Sequence, residues 1–363
     1  MQVLRVLLLP FSWLYGIVIR LRNLLYDTGI LHSFYFPLPV ISVGNLTTGG
    51  TGKTPHIEYL VRLLKDKTKV ATLSRGYGRK TKGFILVSNP STSAMIGDEP
   101  MQYHHKFPDI VVAVGEDRVT AIENLLHIEY KPQVILLDDA FQHRAVKPGL
   151  NILLMEFDSV YKRNYMLPSG TLREPKSGMK RADIIIITKS PDILLPIERN
   201  RILSKFDLLP HQQIFFSYYK YGEFVRLNQR DSTMQFATNY YFEKRFSILL
   251  VAGIARPSGL LDYLRRKTDK LETLLFPDHH QYTSNDVRVI RETFNKIAGT
   301  NKIIVTTEKD AMRLISPELE EELGHLPLFY LPIQVAFHQP DEEKFNQLVL
   351  NYVRENKTNS SIH

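Results

Sequence analysis

The stretch that decides the fold is VISVGNLTTGGTGKTPHIEYLV, residues 40–61. It runs from an apolar, β-branched segment through a glycine-rich turn into a segment whose apolar residues recur at helical spacing. Glycines in such a turn let consecutive backbone N–H groups face one phosphate at the positive end of the following helix. The lysine reaches the terminal phosphates, and the threonine hydroxyl after it holds Mg²⁺. The sequence thus predicts a phosphate loop for a nucleotide, formed by Gly49, Gly50, Thr51, Gly52, Lys53 and Thr54.

This loop departs from the usual spacing at one position. The common pattern has a glycine five residues before Gly52, and here that residue is Thr47. The alternative is a plain turn between a strand and a helix. Three glycines followed by Lys-Thr at such a junction favour nucleotide binding over that alternative.

A second motif, VILLDD, supplies the acidic group that such a loop requires. Its apolar run is typical of a buried strand, and Asp138 and Asp139 follow directly at the strand's end. A carboxylate in this position organises the metal ion of a nucleotide site. Both residues are therefore predicted to belong to a Mg²⁺ site together with Thr54.

The composition is that of an ordinary folded protein of 363 residues, with 44% hydrophobic and 23% charged residues. Cysteine is absent, which excludes disulfides, thiolate–zinc sites and cysteine nucleophiles. The formal net charge of +8 favours an acidic partner. The sequence shows no zinc-finger spacing, RNP motif or long basic tract, so we expect no nucleic-acid partner.

Short apolar runs alternate with helical patterns along most of the chain, and this order predicts an α/β fold. We expect a doubly wound, mostly parallel sheet of the P-loop NTPase type, a smaller C-terminal α/β domain and an N-terminal membrane-interface helix. Around residue 212 the rhythm changes to an aromatic, alternating stretch typical of an antiparallel hairpin. The predicted division is an N-terminal helix (1–30), a P-loop nucleotide-binding domain (31–211), a hairpin hinge or linker (212–245) and a smaller α/β domain (246–363).

The N-terminal segment favours contact with a membrane surface. It has no acidic residue before Asp27, and arginines and aromatics flank its apolar residues. Arg5, Pro10 and Gly16 interrupt the apolar run, which makes it marginal for a spanning helix, and it has no good signal-peptidase site. A helix lying in one leaflet's interface fits best, since each basic residue gains about 1 kcal/mol near anionic headgroups. The alternative is a helix packed on the protein's own core.

Further motifs decide among the classes of protein that share a phosphate loop. The set SVGNLTTGGTGKTP, LSRGYGR, GDEP, VGEDR, LLDDAFQH, LPSGTLREP, FPDHH and TTEKDA, in this order, resembles the tetraacyldisaccharide 4'-kinase family, the lipid A kinases of Gram-negative bacteria. The resemblance covers nearly the whole chain, and the family's phosphate loop also lacks the early glycine. It implies a membrane-associated enzyme that transfers the γ-phosphate of ATP to the 4'-hydroxyl of a lipid A disaccharide 1-phosphate. It further implies a monomer, peripheral or monotopic at the cytoplasmic face of the bacterial inner membrane.

The resemblance also implies roles for individual residues. Asp98 of GDEP would activate the acceptor hydroxyl, with His279 of FPDHH as its pairing partner, because a positioned carboxylate can accept the proton as phosphoryl transfer proceeds. Arg173 is assigned to the transferred phosphate, which its charge would stabilise. The remaining assignments are Glu99 to the metal, Arg118 to phosphate, His143 to the support of Asp139, and Gln142 and Glu174 to substrate or support.

Other interpretations stay open at this point. His280 is expected to be a surface histidine, and TTEKDA either contacts the base or merely ends a strand. Lys189 and Asp192 of ITKSPD stand where a base-reading Lys-x-x-Asp pair could lie, but the leading asparagine of the guanine signature is absent. The rival functions are a P-loop GTPase switch, which would bind GTP more tightly than ATP, and a membrane-bound nucleotide sensor without catalysis, which would not need Asp98.

Overall fold

The structure is a computed structural model that describes residues 6–162, 164–227, 236–278, 280–315 and 317–359. Its elements follow the alternating order that the sequence predicts. The strands are β1 Val40–Asn45, β2 Val70–Ser74, β3 Ile85–Leu86, β4 Val111–Val114, β5 Val134–Asp138, β6 Leu150–Glu156, β7 Ile184–Thr188, β8 Gln213–Tyr221, β9 Val225–Arg226, β10 Ser247–Ala252, β11 Leu271–Leu275, β12 Lys302–Thr307, β13 Leu328–Leu331 and β14 Ile333–Phe337. The helices are α1 Leu9–Asp27, α2 Lys53–Leu64, α3 Ser93–Ile96, α4 Asp98–Lys106, α5 Arg118–His127, α6 Pro196–Leu203, α7 Thr238–Glu243, α8 Ser258–Arg265, α9 Ser284–Lys296, α10 Glu308–Leu314, α11 Pro317–Leu323 and α12 Asp341–Asn359.

The chain forms two compact units. The larger unit comprises residues up to Tyr219 and from Val335 onward, and the smaller one comprises Lys220–Gln334. The chain passes from one unit to the other within β8 and within β14.

The larger unit is built on a nine-stranded sheet with the strand order β14-β8-β7-β6-β1-β5-β2-β4-β3. β1 lies between β5 and β6 and pairs parallel with both. Every residue of β1, β2, β5 and β7 is buried, as expected when helices cover both faces of a parallel sheet. This arrangement brings the carboxyl ends of the central strands to one edge, where an open α/β sheet binds its ligands.

The C-terminal helix α12 belongs to the larger unit, whereas the sequence prediction placed residues 246–363 together in the smaller domain. Phe345, Val349 and Val353 of α12 are buried in the same hydrophobic cluster as residues of β1 and α2. The hydroxyl of Tyr352 donates to the carbonyl of Val40 and accepts from its amide. The apolar face of α12 was evident in the sequence, but its spacing could not reveal which core it covers.

The predicted hairpin at the start of residues 212–245 is wrong. β8 pairs parallel with β7 in the large sheet, and β9 pairs antiparallel with β13 in the other sheet. The alternating aromatic pattern indicated strands correctly but carried no information about their partners. Residues 228–235 lie outside the described residues, and the hinge role of this region stays a prediction.

The smaller unit contains a five-stranded sheet with the order β11-β10-β12-β13-β9. Four of its strands run parallel, and β9 alone is antiparallel at the edge. Residues of β10 and β12 that alternate along each strand fall into two buried clusters, one on each face of the sheet. The smaller unit is therefore an α/β domain with a core of its own.

Helix α1 has the reverse of the usual amphipathic pattern. Its buried residues are the small Ser12 and Gly16, and the hydroxyl of Ser12 accepts a hydrogen bond from the amide of Ser169. Its large apolar side chains are exposed instead, and Trp13 keeps 69% of its surface accessible. Among the described residues, no helix has the length and apolar character needed to cross a bilayer. The exposed apolar side chains of this segment are Val6, Leu7, Leu9, Phe11, Trp13, Leu14, Ile17, Val18, Leu21 and Leu24.

Candidate active site

The phosphate loop lies between the end of β1 at Asn45 and the start of α2 at Lys53. Gly52 precedes the helix with φ of +94°, in the left-handed region that favours glycine. A Cβ atom built on Gly52 would clash with the hydroxyl of Tyr219. A side chain at Gly52 would therefore need a strained backbone and a displacement of the Tyr219 ring.

Buried side chains form hydrogen bonds with this loop, including bonds to its carbonyl groups. Asn45 Nδ2 donates to Thr51 Oγ1 at 2.8 Å, and Thr188 Oγ1 donates to the Thr51 carbonyl at 2.9 Å. His56 Nδ1 lies 2.7 Å from the Gly52 carbonyl, and its Nε2 lies 3.0 Å from the hydroxyl of Ser217. Since a carbonyl only accepts, Nδ1 must carry the proton and Nε2 accepts from the serine. Burial lowers the pKa of His56 to about 4, so the ring is neutral at physiological pH.

Strand register places the paired aspartates beside this loop. Val43 of β1 is the direct partner of Asp138 at the end of β5. Asp138 is buried, and the hydroxyl of Tyr103 donates to its Oδ2 at 2.9 Å. Its Oδ1 has no hydrogen-bond partner within the described part of the chain. Burial, followed by the charges of Glu99 and Asp139, raises the pKa of Asp138 to about 6.

Asp139 lies at the centre of a cationic cluster. Its backbone adopts a φ of +53°, and both carboxylate oxygens accept from Arg173 Nη1, at 2.8 and 2.9 Å. Lys53 Nζ lies 3.6 Å from Asp139 Oδ1. Burial alone would raise the pKa of Asp139, but the charges of Lys53 and Arg173 outweigh it and hold that pKa below its usual value. Two of the predicted phosphate-binding cations therefore meet at one acid.

The acidic residues of GDEP open helix α4. Asp98 is its first residue and is buried, and Glu99 is half-buried. Further along the helix, Gln102 Nε2 donates to Glu58 Oε1 of α2 at 2.7 Å, and Tyr103 reaches Asp138. The hydrogen bond from Tyr103 brings the first turns of α4 next to Asp138, and the charge of Glu99 there raises the pKa of Asp138.

Arg118, the first residue of α5, is buried against the same strand end. Its guanidinium donates to the carbonyl of Gly115 and, at 3.5 Å, to the carbonyl of Asp138. Burial lowers the pKa of Arg118 to about 10, although the charges of Asp138 and Asp139 raise it. Arg118 remains protonated at neutral pH, and it adds positive charge next to the paired acids.

The half-buried Gln142 and the buried Glu174 form a hydrogen-bonded support at the start of the loop. Gln142 Nε2 donates to the Asn45 carbonyl at 2.7 Å and to Glu174 Oε1 at 2.8 Å. Glu174 also accepts from Arg181 Nη2, at 2.8 and 3.0 Å. Helix α1 joins this network, because Arg22 Nη2 donates to the Gln142 carbonyl at 3.0 Å.

His143 does not support Asp139 in the way that was expected. Its Nε2 accepts from the backbone N–H of Arg118 at 3.4 Å. Burial and the nearby charge of Arg118 lower the pKa of His143 to about 4. The neutral ring therefore contacts the start of α5 at Arg118, while the side chain of Asp117 caps the helix by accepting from the amide of Val119.

The donor set at the end of β5 suits Mg²⁺. Within the residues that the structure describes, no three His, Cys, Asp or Glu side chains are arranged to hold a metal ion. Mg²⁺ bound with a nucleotide needs only one or two carboxylates, because phosphate oxygens and waters complete its shell. The orphaned Oδ1 of Asp138, buried beside the phosphate loop, fits that requirement.

The second-domain motifs have structural partners of their own. His279 lies outside the described residues. His280 stacks on Phe276 and its Nε2 lies 3.1 Å from Asp286 Oδ2, so it is held rather than free at the surface. In TTEKDA, the buried Asp310 accepts from the amide of Gly253 and pairs with Arg313 at 2.9 Å. These contacts give TTEKDA a structural role within the smaller unit.

Two residues at the site were not predicted from the sequence. Tyr103 had the pattern of an ordinary core aromatic of α4, and His56 that of an ordinary residue of α2. The position of His56 four residues after Gly52, one helical turn into α2, was the only available signal for its contact with the loop. Nothing in the sequence linked Tyr103 to an acid 35 residues away.

The strand order, the phosphate loop and the acids at the neighbouring strand end together define an α/β nucleotide-binding protein of the P-loop class. The family model described as tetraacyldisaccharide-1-P 4'-kinase matches residues 4–354. The chain belongs to this family, and the resemblance inferred from its motifs is confirmed.

Relatives and a solved structure agree with that assignment. A protein of Bacteroides thetaiotaomicron named tetraacyldisaccharide 4'-kinase is 48% identical over 363 residues, 98% of this chain and 95% of the relative. One of the same name from Flavobacterium psychrophilum is 45% identical over 99% of this chain and 100% of the relative. The crystal structure of LpxK from Aquifex aeolicus in complex with ATP matches with a TM-score of 0.72 and 31% identity, over 96% of this chain and 99% of that one. The predicted fold class of a P-loop α/β kinase is thus confirmed.

Proposed function

We propose that this protein transfers the γ-phosphate of ATP to the 4'-hydroxyl of tetraacyldisaccharide 1-phosphate, giving lipid IVA in lipid A biosynthesis. The family and the names of the relatives support the reaction. The observation that carries the proposal is the convergence of Lys53 and Arg173 on Asp139, beside the phosphate loop. ATP as the donor is supported by the ATP complex of the similar structure.

The cationic cluster is suited to phosphoryl transfer, which depends on positioning and charge stabilisation more than on covalent chemistry. The backbone of Gly49–Thr54 would hold the β- and γ-phosphates, and Lys53 and Arg173 would neutralise charge on the transferred group. Asp139 holds both cations at the loop before the nucleotide arrives, so they need little reorganisation. Arg118, whose backbone N–H donates to His143, adds a positive charge next to the paired acids.

Mg²⁺ would be held by Thr54 and Asp138, with Glu99 and Asp139 nearby, and would neutralise charge on the phosphates when bound. Asp98 would accept the proton of the acceptor hydroxyl, since a positioned carboxylate turns a sugar alcohol into a competent nucleophile. Its burial at the start of α4, next to the metal acids, supports this assignment. His279 is proposed as its pairing partner on the family resemblance alone.

The exposed apolar face of α1 is proposed to lie in the membrane interface. A protein in water rarely exposes so many large apolar side chains together, and such a patch marks an interaction surface. Hydrogen bonds tie this helix to the site through Tyr15, which donates to the Arg173 carbonyl at 2.9 Å, and through Arg22. A lipid acceptor held at α1 would therefore lie close to the phosphate-binding arginine. We place the enzyme as a peripheral monomer on the cytoplasmic face of the inner membrane, where ATP is available.

The reaction is tested with detergent-solubilised protein, labelled ATP and the lipid acceptor. Asp98→Asn should lower kcat by about 10²–10⁴-fold while leaving ATP affinity nearly unchanged, because the carboxylate acts on the acceptor. The matched control is Asp66→Asn, an exposed acid just beyond α2, which should keep full activity. Full activity in Asp98→Asn would remove the proposed base, and tighter binding of GTP than ATP would favour a GTPase switch.

The membrane contact is tested by sedimentation with vesicles that contain anionic lipid. Trp13→Ser should weaken vesicle binding at least about 10-fold, since one large apolar side chain contributes roughly 1.5–3 kcal/mol when buried. Ile193→Ser is the control, because Ile193 is 75% exposed on a different segment. Equal loss in both variants, or none in Trp13→Ser, would contradict the assignment of α1.

A further inference from the structure

The ITKSPD motif has a structural feature that the proposed reaction does not use. Lys189 follows the last residue of β7 and adopts a φ of +55°, which is uncommon for a residue with a side chain. Its ammonium donates to the carbonyl of Gly50 in the phosphate loop and, at 2.6 Å, to Glu156 Oε1 at the end of β6. A residue in this backbone conformation persists when its surroundings fix it strongly.

The contacts come from adjacent strand ends. Glu156 and Thr188 are direct partners across the β6–β7 pair, so the acid and the lysine that follows Thr188 leave the sheet side by side. Thr188 Oγ1 donates to the Thr51 carbonyl, and Lys189 Nζ donates to the carbonyl of the preceding residue, Gly50. Two consecutive residues of one strand end thus bind two consecutive carbonyls of the loop.

Glu156 forms an ion pair with the ammonium of Lys189. Glu156 is buried, and an ammonium brought to a half-buried position is stable only when it is paired and hydrogen-bonded. The Lys189 side chain keeps 29% of its surface accessible to solvent. Water therefore reaches the ammonium only in part and cannot fully replace its hydrogen bonds to the protein. Glu156 therefore holds the charge of Lys189 at the point where the Gly50 carbonyl needs a donor.

We infer that Lys189 is a positioning residue for the phosphate loop: clamped by Glu156, it holds the Gly50 carbonyl so that the loop is set in its nucleotide-binding form before ATP arrives. A loop that is already ordered loses less conformational freedom on binding, which raises affinity without a new contact. This role differs from base reading, because the ammonium is engaged with the loop backbone. The inference rests on the proposed function, since it requires a nucleotide in this loop.

The test is calorimetric titration of Mg²⁺-ATP into the full-length protein without lipid acceptor, so that turnover does not intervene. Lys189→Met keeps most of the aliphatic stem and removes the donors, and its ATP Kd should rise at least about 10-fold, the low end of what one hydrogen bond to a charged group contributes. Lys189→Arg should recover most of the affinity because it restores the charge and the donors. Lys67→Met, an exposed lysine after α2, is the matched control and should bind as the unchanged protein does.

A double-substitution cycle separates positioning from general destabilisation. If the lysine and Glu156 act as one clamp, Glu156→Gln should also weaken ATP binding, and combining it with Lys189→Met should add little to either. A folded Lys189→Met protein that binds ATP as tightly as the unchanged protein overturns the inference, even if its Tm falls. Should that variant not fold, unchanged ATP affinity in Glu156→Gln overturns it instead. Failure of the unchanged protein to bind ATP would refute the proposed function, a result distinct from either.

Discussion

Replacing Tyr103 with phenylalanine removes a single hydroxyl from the site and leaves the aromatic ring in place. The side chain is fully buried, and its hydroxyl donates to Asp138 Oδ2 at 2.9 Å. The other oxygen of that carboxylate has no hydrogen-bond partner among the described residues. The substitution therefore takes away the one neutral donor that the structure gives to this acid.

The cost depends on the charge of Asp138. A hydrogen bond to a charged group contributes about 1.5–3 kcal/mol, and one between neutral groups about 0.5–1.5 kcal/mol. Because the pKa of Asp138 is raised to about 6, the metal-free protein carries the ionised form at pH 7.5 and the protonated form at pH 5. We expect Tyr103→Phe to lower the free energy of unfolding by about 2 kcal/mol at pH 7.5 and about 1 kcal/mol at pH 5.

The direction of this pH dependence follows from the linkage between proton binding and the free energy of unfolding. The folded-state pKa of Asp138 lies above its ordinary value of 3.8, so this acid already makes the folded state less stable as pH rises from about 4 to 6. The hydroxyl of Tyr103 opposes that effect by favouring the carboxylate, and its loss should raise the pKa of Asp138 further. A difference of about 1 kcal/mol between the two pH values corresponds to a rise of roughly 0.7 pKa units.

The assay is urea unfolding of the metal-free protein at pH 5 and 7.5, followed by circular dichroism. Tyr352→Phe is the control, because the Tyr352 hydroxyl bonds backbone groups of Val40 and Gly149, which do not titrate, and its loss should cost the same at both pH values. An equal cost of Tyr103→Phe at pH 5 and 7.5 would refute the argument that the hydroxyl stabilises a charged carboxylate.

Three further outcomes follow from the site. Arg173→Met should lower kcat by about 10²–10³-fold in the phosphoryl-transfer assay, because a fixed cation aimed at the transferred group is lost; a change in KM alone would contradict that role. Binding of Mg²⁺-ATP should weaken as pH falls through about 6, where Asp138 becomes protonated, and titrations at pH 5 and 7.5 that gave equal affinity would exclude Asp138 as a metal ligand. Gly52→Ala should weaken ATP binding at least about 10-fold, since φ of +94° is strained for alanine and its Cβ would displace the Tyr219 hydroxyl; normal binding would mean that the loop adopts another form with nucleotide.

The parts of the site that could be predicted from the sequence are local in the chain. The phosphate loop is one continuous stretch, and the acids of VILLDD follow their strand directly, so motif and strand pattern placed both correctly at one sheet edge. Partners that are distant in sequence were beyond the same reasoning. Tyr103 reaches Asp138 only because α4 packs against β2, the neighbour of β5 in the sheet. His143 contacts the backbone of Arg118, 25 residues away in the chain.

The errors in the domain division have the same origin. The apolar face of α12 and the alternation of β8 were both visible, yet each pattern fits more than one partner. Periodicity specifies that a face is buried and leaves open what buries it. Only the three-dimensional arrangement assigned α12 and the greater part of β8 to the larger unit.

The proposed reaction is tested most directly by the transfer of labelled phosphate from ATP to purified tetraacyldisaccharide 1-phosphate. The product is analysed by mass spectrometry, and its phosphorylated position is determined. We expect one added phosphate at the 4'-hydroxyl, formed only when ATP, Mg²⁺ and the acceptor are all present. Protein that binds ATP but returns the acceptor unchanged, or that phosphorylates another position, would contradict it.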